Sequence, residues 1–244
     1  MHQKMLRDLL VTNMADGNTV VNLRNIGHQL PSLLRQGLTA GAGVRAAAAE
    51  RVAVLYGMDT ELPGYRPAEQ ELSSRGMDDA VLAAPHSLEL LRALAEEATD
   101  KDRDRLLLAA GVAEGLLGRL VPLWERQGRL QAELGRGYAH SAELFDLAQE
   151  YCLVHAAAAC VHTYVHSHEA MAGPLPSAAL LVLQLERLRL RFAPYEPYRD
   201  PDAAGEVLDV LVRLHTENRL LSHWPVTLAD RTAPDGDGRG AEAR

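Results

Sequence analysis

The chain has 244 residues, and the 47% share of apolar residues excludes wholesale disorder. Its formal net charge is −8, with basic residues scattered among acidic ones, which argues against a nucleic-acid-binding surface. Leu and Ala are abundant while aromatic residues make up only 5%, a composition that favours helices over strands.

The first hundred residues are predicted to form an N-terminal helical region. A short helix over residues 3–14 precedes a turn at residues 16–18, and a longer helix follows from residue 19 to about 34, with a proline inside it. A further helix is expected over 44–55. After a loop rich in Gly, Pro and Asp, short helices are expected over residues 67–99.

After about residue 100, apolar residues recur at helical spacing in long segments. Helices are expected over residues 101–127, 140–170, 177–192 and 203–221, with Gly- and Pro-containing breaks between the later ones. Four long helices joined by short connections are typical of an up-down four-helix bundle. Since no segment shows sustained period-two alternation, we predict an all-α fold without a sheet.

These patterns divide the chain into three parts. Residues 1–99 form the N-terminal helical region and residues 100–229 the C-terminal helical bundle. Residues 230–244, rich in Gly, Asp, Arg and Ala, are expected to be a disordered tail.

The most informative segment is the corner Asp16-Gly17-Asn18-Thr19. An Asp-Gly turn here would place one carboxylate at the junction of two helices, and the next helix would present free backbone N–H groups to an anionic group. The same residues are also compatible with a purely structural role, in which Asp16 belongs to a helix-capping turn.

Residues 14–23, Met-Ala-Asp-Gly-Asn-Thr-Val-Val-Asn-Leu, resemble the junction in the C-terminal helical domain of acyl-CoA dehydrogenases and acyl-CoA oxidases. There a Glu-Gly corner carries the catalytic base, which removes the α-proton of an acyl thioester while a hydride leaves for the flavin. The resemblance implies that Asp16 is the base and that Gly17, Asn18 and Thr19 contact the FAD nucleotide. Asp is one methylene shorter than Glu, so its carboxylate reaches roughly 1 Å less far, and a misplacement of about that size can cost about a hundredfold in rate.

The resemblance also implies a partner. In that family an N-terminal helical domain and a β-domain that cradles the flavin precede this corner, whereas only a short segment precedes it here, and no glycine-rich phosphate loop replaces them. We therefore predict a heteromeric flavoprotein, in which this chain completes the active site of an acyl-CoA dehydrogenase-like partner subunit that holds or shares FAD. Enzymatic activity, an oxidoreduction, is expected only in that complex. The acyl group, its CoA or carrier-protein attachment and the electron acceptor stay open.

The alternative is a non-catalytic, all-helical scaffold or interaction subunit, in which the Asp-Gly corner is only a cap. A helical regulator that senses a ligand ranks below both, because no helix-turn-helix with basic flanks is visible.

The densest histidine cluster consists of His155, His162, His166 and His168, of which His162 and His166 are spaced four apart as in helical zinc sites. Without a His-Glu-x-x-His pattern, packing is the favoured interpretation and no metal is predicted. Arginines at 187, 189 and 191 are expected on a solvated helix face, where they could meet the phosphates of CoA. No Ser is paired with His at a nucleophile elbow, which disfavours a hydrolase.

The cellular setting is predicted from the remaining features. Cys152 and Cys160 are expected to be reduced thiols on one helix. No signal peptide opens the chain, and apolar stretches are interrupted by His, Arg or Glu. We therefore expect a cytoplasmic protein that binds neither membranes nor nucleic acids.

Overall fold

The computed structural model describes residues 19–58, 60–61, 77–170 and 177–217. These residues form helices and contain no strand, so the all-α prediction is confirmed. The α helices are α1 (Thr19–Thr39), α2 (Ala42–Tyr56), α3 (Asp79–Glu97), α4 (Asp100–Leu117), α5 (Leu120–Leu134), α6 (Ala142–Ser167), α7 (Ala178–Arg189) and α8 (Asp202–Thr216). A 3₁₀ segment, Gly135–His140, joins α5 to α6.

Several predicted helix boundaries change in the structure. Helix α1 continues beyond Pro31 to Thr39, and α3 is a single helix of 19 residues in place of the predicted short ones. The predicted helix over 101–127 is two helices, because α4 ends at a tight turn formed by Gly118 and Arg119. The backbone N–H of Gly118 still donates to the carbonyl of Glu114 at 2.8 Å, which closes the last turn of α4.

Helix α6 is the centre of the packing, since it contacts α1 to α5 as well as α7. One core cluster joins α3, α4, α6 and α7 through residues such as Leu91 and Leu185. A second joins α1, α5 and α6 through Leu34, Leu123 and Leu144. Each fully buried leucine stabilises the fold by about 1.5–3 kcal/mol relative to an exposed one.

Both clusters take residues from each side of residue 100. Helix α3 packs closely on α4 and α6, which belong to the proposed bundle. The three-part division of the chain and the up-down arrangement of four helices therefore stay interpretations of the sequence. The tail over 230–244 and the first helix over 3–14 lie outside the described residues.

Buried charges connect the last two helices to the rest. Arg105 of α4 is 4% exposed and pairs with Asp200 and Glu206, both through 2.8 Å contacts. Asp200 also accepts hydrogen bonds from the first backbone N–H groups of α8, at Asp202 and Ala203. Arg105 therefore anchors the start of α8 to α4, and Lys101 of α4 adds a 2.7 Å pair with Glu206.

The arginine prediction is wrong for Arg189, which is buried. Its guanidinium forms two hydrogen bonds, of 2.7 and 2.8 Å, with the fully buried Glu186, and it also pairs with Glu196. Burial would raise the pKa of Glu186, but hydrogen bonds from Arg189 and from the backbone N–H of Arg199 outweigh it and hold that pKa below its usual value. Arg189 is thus committed to the fold and is not free to bind a phosphate.

Two helical stretches, Asp100–His140 and Ala142–Ser167, are long and apolar enough to cross a membrane by length and composition. Core helices of soluble proteins meet the same criterion, and α6 is the central core helix here. These stretches do not indicate location either way, so the cytoplasmic assignment stays a prediction.

Candidate functional site

The corner predicted to be catalytic is only partly described. Asp16, Gly17 and Asn18 lie outside the described residues, whereas Thr19 is the exposed first residue of α1. The first turn of α1 contains no acidic side chain, so no carboxylate of that turn neutralises the positive end of the helix dipole. An anionic group next to Thr19 is therefore compatible with α1.

The histidine cluster does not form a metal site in the described part of the chain, where no three His, Cys, Asp or Glu side chains come together as ligands. The ring of His162 is fully buried, and both of its nitrogens are used. Because a carbonyl only accepts, Nε2–H donates to Ala80 O at 2.8 Å and Nδ1 accepts from the Ser87 hydroxyl at 2.8 Å. Burial lowers the pKa of His162 to about 4, so this ring is neutral and structural.

The contact between Ser87 and His162 has to be compared with the nucleophile–base pair of a hydrolase. Ser87 and His162 are hydrogen-bonded, as in a nucleophile and its base, but Ser87 is only 1% exposed. A substrate does not reach such a hydroxyl. The pair joins α3 to α6, and a hydrolase stays disfavoured.

A different group of polar side chains converges at the start of α3. Asp78 is the N-cap of this helix, and its Oδ1 accepts hydrogen bonds from the backbone N–H groups of Ala80 and Val81 at 3.1 and 3.3 Å. Its Oδ2 accepts from the Tyr151 hydroxyl at 2.9 Å and from Nδ1–H of His155 at 2.7 Å. Each carboxylate oxygen therefore has two donors.

Tyr151 and His155 reach the same carboxylate because they are four residues apart on one face of α6. Burial would raise the pKa of Asp78, but hydrogen bonds from His155 and Tyr151 and the His155 charge lower it below its ordinary value. The hydrogen bond to Asp78 in turn raises the pKa of His155 against the effect of burial. The pair is therefore an aspartate with an imidazole whose charged form is favoured.

These residues line a cleft of about 490 Å³ between α1, α2, the start of α3 and α6. Its volume lies within the range of small-molecule sites, roughly 300–1,000 Å³. Most of the lining is apolar: Ile26 and Leu33 come from α1, Val52, Leu55 and Tyr56 from α2, and Met77 and Ala80 from the start of α3.

Hydrogen bonds fix the walls of this cleft. Arg51 of α2 forms two 2.7 Å hydrogen bonds with Asp79 at the start of α3. The Ser167 hydroxyl of α6 donates to the carbonyl of Tyr56 at the end of α2. The cleft thus lies between elements that are held together along the C-terminal half of α2.

His155 is the one residue of the described cleft lining with an imidazole ring, and one of its two ring nitrogens has no hydrogen-bond partner among the described residues. His155 is half-buried, and its Nε2 forms no hydrogen bond with another described residue. Neighbouring Cys152 is free, but burial and the Asp78 charge raise its thiol pKa, so it is a poor nucleophile. What the site can do is bind a polar group at Nε2 and exchange a proton with it.

The sequence interpretation missed Asp78 and Tyr151, and considered His155 only as a member of the histidine cluster. A signal was present, because an Asp directly before an apolar helix is typical of an N-cap. The spacing of Tyr151 and His155 was also readable. Their meeting with Asp78 was not, since these contacts join residues 73 and 77 positions apart.

No family model, curated protein or solved structure matches this chain.

Proposed function

We propose that this chain acts as the C-terminal helical part of a flavin-dependent acyl-thioester dehydrogenase or oxidase, with the flavin-binding domains carried by a partner subunit. What supports it most is the order of residues in the sequence, in which Asp16-Gly17-Asn18 comes directly before Thr19, the first described residue of α1. The resembled family has the same order, with a carboxylate-glycine corner followed by a helix.

The residues present are compatible with the flavin nucleotide. The exposed Thr19 can offer its hydroxyl, and the first turn of α1 has no acidic side chain to repel a pyrophosphate. Gly17 and Asn18 are the other proposed contacts. The flavin, when bound, supplies the hydride acceptor, while the chain itself positions the substrate and takes the proton.

Asp16 is the proposed base. A carboxylate within hydrogen-bond reach of the substrate α-carbon would remove its proton. Because Asp is shorter than Glu, the backbone of the corner must lie closer to the substrate by roughly 1 Å for the same reach. The described residues contain no strand, so the β-domain that holds a flavin ring would come from other polypeptide.

A second candidate, the non-catalytic interaction subunit, is favoured by α8. Leu208 and Val212 lie four residues apart on this helix and are 58% and 55% exposed. Exposed apolar side chains on one helix face are typical of protein contacts. In this case Asp16 would only cap a helix.

The test begins with untagged chain co-expressed with the products of its neighbouring genes, whose visible spectrum and component masses are recorded. A flavin spectrum with a second chain of dehydrogenase size supports the proposal, whereas colourless protein without that companion overturns it.

In the reconstituted complex, Asp16→Asn is expected to abolish α,β-dehydrogenation without loss of assembly, and Asp16→Glu to retain or raise it. Asp209→Asn, at an exposed position of α8, serves as the matched control with unchanged rate. Full activity of Asp16→Asn would favour the interaction subunit.

A further inference from the structure

The cleft at Asp78 and His155 is separate from the proposed flavin corner and has its own chemistry. Its lining is mainly apolar, and its charged members among the described residues are Asp78, Asp79 and His155. The ligand it selects depends on which of these groups still have hydrogen-bonding capacity.

Asp78 has no hydrogen-bonding capacity left, and the charge of Asp79 is already paired with a guanidinium. Asp78 accepts four hydrogen bonds, two on each oxygen, from the backbone of α3 and from Tyr151 and His155. Asp79 is paired through both oxygens with Arg51. An organic cation would therefore have to displace a donor of Asp78 or compete with the Arg51 guanidinium for Asp79.

A negatively charged ligand would be repelled by the carboxylate next to His155. The only side chain of the described cleft lining that can carry a positive charge is His155, and it already faces Asp78 at 2.7 Å. A ligand carboxylate at His155 would lie close to the charge of Asp78, and like charges at such short range repel. Because the charged groups of the cleft are already paired, the cleft favours uncharged ligands over both organic cations and anions.

Nε2 of His155 is the atom of the Asp78–His155 pair that has no partner among the described residues, and the side chains of Gln29 and Tyr56 add further polar atoms to the lining. Since Nδ1–H is donated to a carboxylate, the ring is oriented, and its Nε2–H is available as a donor when the ring is charged. A carbonyl oxygen is the simplest neutral acceptor for it. Around it, Leu33, Val52, Leu55 and Met77 offer apolar surface for a hydrocarbon chain.

We propose that this cleft binds an uncharged, mainly apolar small molecule whose carbonyl oxygen accepts a hydrogen bond from Nε2–H of His155. The site goes beyond the proposed function, because it requires neither the flavin nor the corner at Asp16. It is therefore testable on the full chain alone, and its failure leaves the dehydrogenase proposal untouched.

The test uses three probes with similar alkyl chains, namely methyl octyl ketone, decanoic acid and decylamine, and measures their binding to the 244-residue protein by calorimetry. We expect the ketone to bind at least about tenfold more tightly than either ion at neutral pH. His155→Leu should weaken ketone binding about tenfold, which is the loss of one hydrogen bond to a charged donor.

His140→Leu, an exposed histidine in the 3₁₀ segment, is the matched control and should leave the affinity unchanged. Leu55→Trp fills the mouth of the cleft at a side chain that is 69% exposed, so the fold should survive while ketone binding is weakened. Circular dichroism checks that each variant is folded. Equal binding of the three probes, no ketone binding, or full affinity of His155→Leu or Leu55→Trp would each overturn the proposal.

Discussion

Acidification should destabilise this protein through one buried ring, that of His162. The ring is fully buried on α6, donates to Ala80 O and accepts from Ser87, and it stacks on His166 at 6.4 Å between ring centroids. A proton on Nδ1 would remove the acceptor of the Ser87 hydroxyl and add an unpaired buried charge. The native state therefore excludes that proton.

The size of the effect follows from the pKa difference. Burial lowers the pKa of His162 from 6.5 to about 4. At 1.36 kcal/mol per pKa unit this difference corresponds to about 3 kcal/mol. In that interval the unfolded chain binds more protons than the native protein, so the free energy of unfolding falls as the pH falls from about 6.5 and levels off below about 4.

The assay is urea unfolding followed by circular dichroism, from about pH 7 down to about pH 4. His162→Gln can still donate to Ala80 O and accept from Ser87, but it does not titrate. We expect wild type to exceed this variant in free energy of unfolding near neutral pH, and the difference to fall by about 3 kcal/mol on acidification.

Comparison with the variant separates His162 from the Asp78–His155 pair, whose titration is common to both proteins. His140→Gln, at an exposed position, should leave the pH profile of wild type unchanged. A difference between wild type and His162→Gln that stays constant across this pH range would show that the buried ring does not titrate as argued.

Two further perturbations test packing and charge burial by urea unfolding. Gly27→Ala should cost about 1–3 kcal/mol of stability by overpacking, because the new Cβ would lie 2.6 Å from Cγ of Leu144. Gly111→Ala, where the Cβ would meet open space, should stabilise α4 by up to about 1 kcal/mol. Equal effects of the two changes would refute the close approach at Gly27. Glu186→Ala should cost about 3–5 kcal/mol, because the buried Arg189 loses two hydrogen bonds to a buried carboxylate and keeps only the exposed Glu196 as an acidic partner. Glu114→Ala at the surface should cost less than about 1 kcal/mol. A small effect at Glu186 would show that water reaches the pair.

Local structure was accessible from the sequence because it depends on near neighbours. The leucine and alanine content and the helical spacing of apolar residues predicted an all-α protein. The turn at Gly118 and Arg119, which divides one predicted helix into α4 and α5, was not predicted. Helix ends were less accessible, since Pro31 and Pro85 lie inside helices that tertiary packing holds together. Asp16 and its neighbours stay a prediction from resemblance.

Packing alone decided which side chains meet. Nothing in the residues of α7 distinguished the buried Arg189 from the arginines on either side of it, because burial depends on which neighbour covers a helix face. The cleft shows the same limit more strongly. Asp78 is recognisable as a cap and His155 as a helix-face histidine, but their 2.7 Å contact exists only because the start of α3 lies against α6. The sequence determines which side chains lie on each face of a helix. The tertiary structure decides which of these side chains come close enough to shift one another's pKa.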